Sequence, residues 1–330
     1  MNIIKRRKTM RSKQMRKTGI FLIGLFFVLV YFPFGALADE KFEEKFEKTE
    51  ALAKDGKVFL SNVSGDVELM TWTRDEVKID ATKVADASSL EKAKEDARQV
   101  LIEVNKVGNV LRIETKYPEH LGGLFHKSLR VHVNYRLWIP EKASAEIKTV
   151  SGNIIVEGVG GALMAKTVSG DVEVRKATSG AECEAVSGDL KLADIVGDVS
   201  IKTVSGSVVA ERIKGSIEGE TVSGDIELRE VSDASVVKVE VLSGSLTYEG
   251  KINPQGRYNL SSHSGDVTMI LPADSGFEFE AKSFSGDIES DFQVEVSGKI
   301  KGKEIRGVVN KGGASIKLSA FSGDIKLEKR

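Results

Sequence analysis

Residues 187–222 read SGDLKLADIVGDVSIKTVSGSVVAERIKGSIEGETV, which is one 18-residue unit followed by a second copy of its pattern. Each copy opens with Ser-Gly and then Asp or Ser, and a second glycine nine residues later, Gly197 or Gly215, divides it into halves. Within each half, apolar residues alternate with Lys, Glu, Arg or Ser, which is the period of a strand with one buried face. The unit therefore predicts two strands separated by two tight corners.

The corner motif recurs along most of the chain. Ser-Gly-Asp or a close variant begins at ten serines, and the four intervals between Ser151 and Ser223 are 18 residues each. Later intervals widen to 20, 21, 21 and 37 residues, and the longest, from Ser285 to Phe321, predicts an insertion or an irregular extra rung. We expect the corner glycines to adopt the backbone angles that only glycine reaches easily. They are Gly65, Gly152, Gly170, Gly188, Gly206, Gly224, Gly244, Gly265, Gly286 and Gly323.

The alternation also assigns residues to the interior. The predicted inward positions are Leu190, Leu192, Ile195, Val199, Ile201 and Val204 in the first copy, and Val208, Ala210, Ile213, Ile217, Gly219 and Val222 in the second. The sole cysteine, Cys183, falls in the inward column of Ala165, Ile201 and Gly219. It is therefore predicted to be a small core residue and not a nucleophile.

A nine-residue half cannot bury its apolar side chains alone, but copies stacked about 4.8 Å apart can. The sequence predicts an all-β fold, a right-handed parallel β-solenoid with two facing sheets and about 18 residues per rung. The handedness follows from the general rule for parallel connections. A left-handed triangular helix is the alternative, but it needs apolar residues at every sixth position, and the period here is nine.

The repeats occupy residues 141–330, and residues 57–140 predict a β-rich region that caps the N-terminal end of the stack. Within the cap, a helix is predicted near residues 88–100, with Ser88 or Ser89 as its N-cap, and a hairpin around Gly108. Residues 39–56 form a charged lead segment, expected to be a short helix or disordered. Trp72 and Trp138 lie in strand patterns and are expected to pack in the core or the cap.

Residues 1–38 have the features of a signal peptide. Eight basic residues precede an uncharged stretch that runs from Thr18 and ends in Ala36-Leu37-Ala38, a small-x-small cleavage pattern. The chain is therefore expected to be exported, to the periplasm or to the cell surface and extracellular space. An uncleaved membrane anchor is the alternative, since 21 uncharged residues just span a bilayer. Contact with a membrane is expected only through this segment, if it is retained.

The charge balance excludes one class of partner. The chain has 48 basic and 49 acidic residues, and without the eight basic residues of the leader it has 40 against 49, a net charge of about −9. Nucleic-acid binding requires a basic surface, so no nucleic acid is expected as a partner. A single cysteine also excludes an internal disulfide.

No catalytic residue, metal site or cofactor is predicted. The corner aspartates form a column, but Asn153, Ser207 and Ser245 interrupt it, and a solvated turn is favoured over a calcium site. The members of the column are Asp66, Asp171, Asp189, Asp225, Asp266, Asp287 and Asp324. A polysaccharide-cleaving enzyme is disfavoured because the region from Ser151 onward has no tryptophan and its acidic residues are spread evenly.

The predicted partner contact is the loop at residues 119–127, which carries Leu121, Leu124 and Phe125 beside a Gly122-Gly123 pair. Apolar residues in an irregular loop on a rigid scaffold often contact partners. The alternative is that the three side chains plug the end of the solenoid.

Several segments resemble a known family. They are GDVELMTW at residues 65–72, YRLWIP at 135–140, the TVSGD repeats, and GGASIKLSAFSGDI from Gly312. Together they resemble the bacterial exported β-strand-repeat proteins called "putative adhesin", a domain of unknown function. The resemblance implies a non-catalytic binding or scaffolding role in the cell envelope, with an envelope protein or a surface polymer as partner. An accessory regulator of an envelope-stress signalling system is the alternative.

Overall fold

The computed structural model describes residues 39–118, 129–296 and 303–330. These residues form 27 strands and one helix, and the strands assemble into two long sheets. The predicted all-β solenoid with two sheets is confirmed, while its handedness stays a prediction.

The first sheet has 13 strands. Their spatial order is β1 (Glu40–Ala51), β4 (Glu76–Ala87), β7 (Val131–Pro140), β3 (Val67–Trp72), β9 (Ile154–Glu157), β11 (Val172–Arg175), β13 (Leu190–Val196), β15 (Val208–Lys214), β17 (Ile226–Val231), β19 (Leu246–Gly250), β21 (Val267–Leu271), β27 (Ile325–Lys329) and β23 (Ile288–Ser290).

The second sheet has 14 strands. Their spatial order is β5 (Leu101–Val107), β6 (Val110–Lys116), β2 (Lys57–Ser61), β8 (Ser144–Ser151), β10 (Leu163–Ser169), β12 (Ala181–Ser187), β14 (Val199–Ser205), β16 (Ile217–Ser223), β18 (Val236–Ser243), β20 (Arg257–Ser264), β26 (Ala314–Ser322), β22 (Phe277–Ser283), β25 (Glu304–Val309) and β24 (Glu295–Val296). The helix, α1 (Leu90–Gln99), connects β4 to β5.

In the regular array the chain crosses from one sheet to the other at each corner, and equivalent residues of successive rungs pair in parallel. Cys183 lies between Ala165 and Ile201, and Ile201 lies next to Gly219. The Cys183 side chain is fully buried, as predicted for a core residue. Ladders of such inward residues from both sheets form one continuous core.

The predicted burial of Val204 and Val222 is wrong. Their side chains are 47% and 41% exposed, whereas Thr203 and Thr221 are buried. The two-residue period runs unbroken from Ile201 to Thr203, so the next residue must point outward, however apolar it is. A threonine is tolerated inside because its methyl group packs in the core, and the Thr203 hydroxyl faces the Gly188 carbonyl oxygen at 3.5 Å.

The geometry of the corners explains why glycine recurs at them. Nine of the ten predicted corner glycines have φ between 114° and 157°. A Cβ atom on Gly206 would also overlap the carbonyl oxygen of Gly188 in the preceding rung. Gly286 differs because its φ is not among the positive values, but a Cβ there would overlap the carbonyl oxygen of Gly323. Close stacking therefore requires glycine at this position in every rung.

The lead segment differs from its prediction. Residues 40–51 are neither helical nor disordered but form β1, which pairs antiparallel with the whole length of β4. Phe42 and Phe46 lie on one face of the strand and pack against the core. Lys83, largely buried in β4, pairs with Glu44 of β1 at 3.1 Å. The 12-residue partner strand supplies the hydrogen bonds that order this charged sequence.

The predicted helix and hairpin are confirmed. Helix α1 begins after Ser89, whose hydroxyl accepts the backbone N–H of Lys92, and its buried Ala93 and Ala97 join the core. Strands β5 and β6 pair antiparallel around Gly108.

The C-terminal rungs do not stack in chain order. The last rung, β26 and β27, lies between the rung of β20 and β21 and the rung of β22 and β23. The 37-residue interval holds β24 and β25, and β25 runs antiparallel to β22. The interval therefore contains an insertion, as predicted, but the return of the chain into the stack was not predicted.

Candidate functional site

The contact loop predicted from sequence cannot be placed. Leu121, Leu124 and Phe125 lie outside the described residues, as do residues 1–38 with the predicted signal peptide. The contact-loop hypothesis and the leader therefore stay predictions.

The structure instead places a line of exposed side chains, mostly apolar, on the outer face of the second sheet. Each is the residue before a Ser-Gly corner, and it points outward because the residue before it in the chain is buried. We call this line the apolar stripe. Its members, in the order of the stack, are Val63, Val150, Val168, Val186, Val204, Val222, Leu242, His263, Phe321 and Phe284.

The stripe is long and continuous. Its exposure ranges from 40% at Val63 to 71% at Phe284 among the apolar members. With about 4.8 Å between neighbouring strands, ten members extend over about 43 Å. The largest contiguous apolar patch on a soluble protein is often a contact site for other molecules.

The stripe ends in a stack of rings. The centroids of Phe284 and Phe321 are 4.8 Å apart, with ring planes at 2° to each other. His263 stacks on the other side of Phe321 at 4.7 Å. Together with Leu242 and Lys282, these rings line an open groove of about 690 Å³. The stripe therefore widens from valine to aromatic side chains along the stack.

A column of charges runs beside the stripe, formed by the outward residue two positions before each of the six stripe members from Val150 to Leu242. It reads Lys148, Lys166, Glu184, Lys202, Glu220 and Glu240 from one rung to the next. Lys166 pairs with Glu182 at 2.8 Å and with Glu184 at 3.0 Å. Its hydrogen bond to Glu182 raises the pKa of Lys166. The surface beside the stripe is thus charged with both signs.

The aspartate column has a structural role. The Asp171 side chain accepts the backbone N–H of Asp189 at 2.9 Å, and Asp189 accepts that of Ser207 at 2.8 Å. Asn153 does the same for Asp171 at 2.9 Å. These hydrogen bonds connect each corner to the equivalent corner of the next rung. Across residues 39–118, 129–296 and 303–330, no group of three or more His, Cys, Asp or Glu side chains is arranged to hold a metal ion.

Cys183 is poorly suited to act as a nucleophile. Burial raises the pKa of its thiol to about 12, so the reactive thiolate is scarce at neutral pH.

The tryptophans lie outside the core, in strands of the predicted cap. Trp72 and Trp138 are half-buried on the outer face of the first sheet, with ring centroids 6.4 Å apart. They are outward because Val67 and Leu69 take the inward positions of β3. Arg74 lies 4.8 Å from the Trp72 ring, and Lys78 lies at the same distance from the Trp138 ring.

Sequence reasoning missed the stripe, although the signal was present. Continuing the alternation through Thr203 places Val204 outside, and the same step applies to every Thr-Val-Ser-Gly unit. Hydrophobicity alone predicts the opposite, because valine is apolar and is usually buried.

Comparison with known proteins identifies one matching family. The sequence model of the toastrack DUF4097 family matches residues 56–328, which include the segments that carry the resemblance noted above. No protein among those with curated descriptions matches the chain. In the described part of the chain, helix α1 is too short and too polar to cross a membrane, and no other helix is present.

Several solved structures are similar in fold. A "putative adhesin" from Parabacteroides distasonis has 12% identity and a TM-score of 0.37, covering 86% of this chain and 97% of its own. One from Bacteroides fragilis has 12% identity and a TM-score of 0.36, covering 86% and 96%. A "putative lipid binding protein" from Parabacteroides distasonis has 10% identity and a TM-score of 0.31, covering 86% and 97%. These scores are too low for the names of those proteins to be carried to this chain.

Proposed function

This chain belongs to the toastrack DUF4097 family, and we propose that it is an exported, non-catalytic binding or scaffolding protein of the cell envelope whose contact surface is the apolar stripe. The observation that carries the proposal is the continuous exposure of the stripe on a rigid sheet. A partner that covered roughly 400 Å² of it would gain on the order of 10 kcal/mol before the cost of association. That gain is comparable with the cost of association, which is about 4–15 kcal/mol.

A non-catalytic role is supported by the chemistry of the described residues. On the outer faces of the two sheets many charged side chains are held in ion pairs, such as Lys166 with Glu182 and Arg212 with Asp194. Catalysis by acid and base groups needs such residues gathered in a cleft with shifted pKa values. The buried thiol of Cys183 gives no accessible nucleophile.

Placement in the envelope is supported by the predicted signal peptide. The basic run followed by an uncharged stretch and Ala36-Leu37-Ala38 predicts a mature N-terminus at Asp39. Mass spectrometry of the protein from the envelope fraction tests this directly. Intact chains that start at Met1 and are integrated in the membrane would contradict cleavage.

The contact role is tested with purified protein and washed envelope fragments from the native host. Leu242→Ser combined with Phe321→Ser removes the widest part of the stripe, and we expect retention on the fragments to fall about tenfold or more. Ile155→Ser is the matched control, because Ile155 is exposed to 42% on the outer face of the other sheet. Equal retention of the double variant and the control would refute the stripe as the contact surface.

A further inference from the structure

We infer that the outer face of the second sheet binds a second copy of this chain, with the two solenoids face to face and their long axes antiparallel. The inference rests on the proposed role of the apolar stripe as a contact surface and names its first partner. It is carried by the order of charges beside the stripe.

The charge column is complementary to its own reverse. From β8 to β18 it reads Lys148, Lys166, Glu184, Lys202, Glu220 and Glu240. Read backwards, it places an acid opposite every base and a base opposite every acid. A two-fold axis parallel to the strands, passing between β12 and β14, produces this reversal. Such an axis makes the interface isologous, the usual form of a homodimer contact.

The same axis brings the stripe onto itself. Val204 faces the partner's Val186, Val222 faces the partner's Val168, and Leu242 faces the partner's Val150. Each of these side chains is between 41% and 51% exposed in the single chain. Apolar side chains therefore meet apolar side chains along the edge of the contact, while opposite charges meet beside them.

The other face-to-face arrangement is unfavourable. A two-fold axis along the stack and over the charge column keeps the order of the rungs, so Lys148 would face the partner's Lys148 and Glu220 the partner's Glu220. Like charges held together across an interface oppose association. The charges thus select the antiparallel arrangement.

Two charges have no ion pair of their own. Lys202 and Glu220 occupy neighbouring rungs, and within the described residues neither forms an ion pair in its own chain. In the antiparallel arrangement Lys202 meets the partner's Glu184, and Glu220 meets the partner's Lys166. The second copy supplies the partners that the single chain lacks.

The outer face of the second sheet is large enough for a stable dimer interface. Six rungs spaced about 4.8 Å apart, with strands of about 23 Å, present roughly 650 Å² per chain. Including the next rung on each side, β2 and β20, raises this to roughly 880 Å² per chain. A stable protein interface buries about 800 Å² on each partner, so the face reaches the required size.

The test is the oligomeric state of the full chain, expressed with its own N-terminal segment and recovered after export. Sedimentation velocity over a range of concentrations should give a dimer. Val204→Lys places two charges near the two-fold axis and should raise the dissociation constant at least about tenfold. Ile155→Lys, on the opposite outer face, should leave it unchanged. A wild-type chain that stays monomeric, or a Val204→Lys variant that dimerises like the wild type, overturns the inference.

A charge swap tests the antiparallel register. Lys148→Glu and Glu240→Lys should each weaken the dimer about tenfold, since every swap changes two symmetry-related contacts. The double variant should return to within about threefold of the wild type. Within one chain these residues are five rungs, about 24 Å, apart, well beyond the screening length of about 8 Å. Recovery of the dissociation constant in the double variant must therefore come from a contact between chains. If the effects of the two single swaps simply add, the antiparallel register is wrong.

The two proposals can fail separately. A monomeric chain whose Leu242→Ser and Phe321→Ser variant still loses retention on envelope fragments would overturn self-association and leave the binding role in place. A dimer that shows the charge-swap rescue, but retains envelope material equally in all variants, would overturn the binding role and support self-association.

Discussion

The two outer faces of this solenoid are built on the same repeat but present different chemistry. On the first sheet, Arg229 lies between Glu211 and Glu227 at 3.0 Å and 2.7 Å, and Arg212 pairs with Asp194 at 2.6 Å. On the second sheet, a continuous line of valine, leucine and aromatic side chains is exposed. The inward residues and the corners must keep the stack intact on both sides. Stacking does not constrain the outward residues in this way, so differences between the two outer faces indicate function.

The largest effect on stability is expected at a corner glycine, because both sheets depend on the close stacking of the corners. Gly206→Val should lower the free energy of unfolding by about 3 kcal/mol or more, because φ is 151° and any Cβ overlaps the Gly188 carbonyl oxygen of the preceding corner. Gly108→Asn is the control, since φ there is 58° and a Cβ meets no atom within 4 Å. It should cost less than about 1 kcal/mol. Chemical denaturation measures both, and equal losses would contradict the stacking argument.

A second test separates the inward and outward residues of one strand. Ile201→Ala should destabilise the protein by about 3 kcal/mol, because Ile201 is fully buried in the core. Val204→Ala, three residues later and 47% exposed, should change stability by less than about 0.5 kcal/mol. Thermal melts of both variants decide this. A large loss from Val204→Ala would mean that the stripe is required for folding and is not reserved for contacts.

The aspartate column gives a smaller effect. Asp189→Ala removes the acceptor for the Ser207 backbone N–H and should cost about 1 kcal/mol. Asp189→Asn should be nearly neutral, because an asparagine oxygen accepts the equivalent N–H at Asn153. If Asp189→Asn were as damaging as Asp189→Ala, or if calcium raised the melting temperature of the wild type strongly, the column would have an ionic role.

The smallest expected effect is a difference in the pH dependence of stability between variants of the two outer faces. The hydrogen bond from Arg212 lowers the pKa of Asp194 below its ordinary value of 3.8. A lowered carboxyl pKa contributes stability above the unfolded-state value, and this contribution is lost as the pH falls through the folded-state value. Asp194→Asn should therefore narrow the stability difference between pH 5 and strongly acidic solution slightly. Val204→Ala should not, since no ionisable group is removed from the second face. Melting temperatures across this range provide the measurement.

Much of the fold could be predicted because the repeat enforces its own geometry. An 18-residue interval with a glycine at each corner admits few structures, and helix α1 was marked by its serine cap. Strand β1 could not be predicted in this way. Its charged sequence is ordered by pairing with β4, a long-range contact that leaves little trace in residues 40–51.

The candidate site was predicted less well than the fold. Hydrophobicity assigned Val204 and Val222 to the core, although the strict alternation of the strand already required Thr203 and Thr221 there. Backbone geometry decides which way a side chain points, and the hydrophobicity of one residue does not override it. Trp72 and Trp138 likewise occupy outward positions, in strands of the predicted cap. Large apolar residues at outward positions are therefore the informative ones in this repeat.

The insertion of the last rung into the stack sets the order in which the protein can be completed. Residues 314–329 leave the ribosome, and any export channel, after residues 257–290, which form the two rungs that they separate. Until they arrive, β20 and β21 lack their C-terminal neighbours, and β22 and β23 have no parallel rung to join. An assembly that proceeds from the N-terminus can reach the rung of β20 and β21, but the native order beyond that rung requires residues 314–329. A truncated chain would lose an interior layer and expose two open edges.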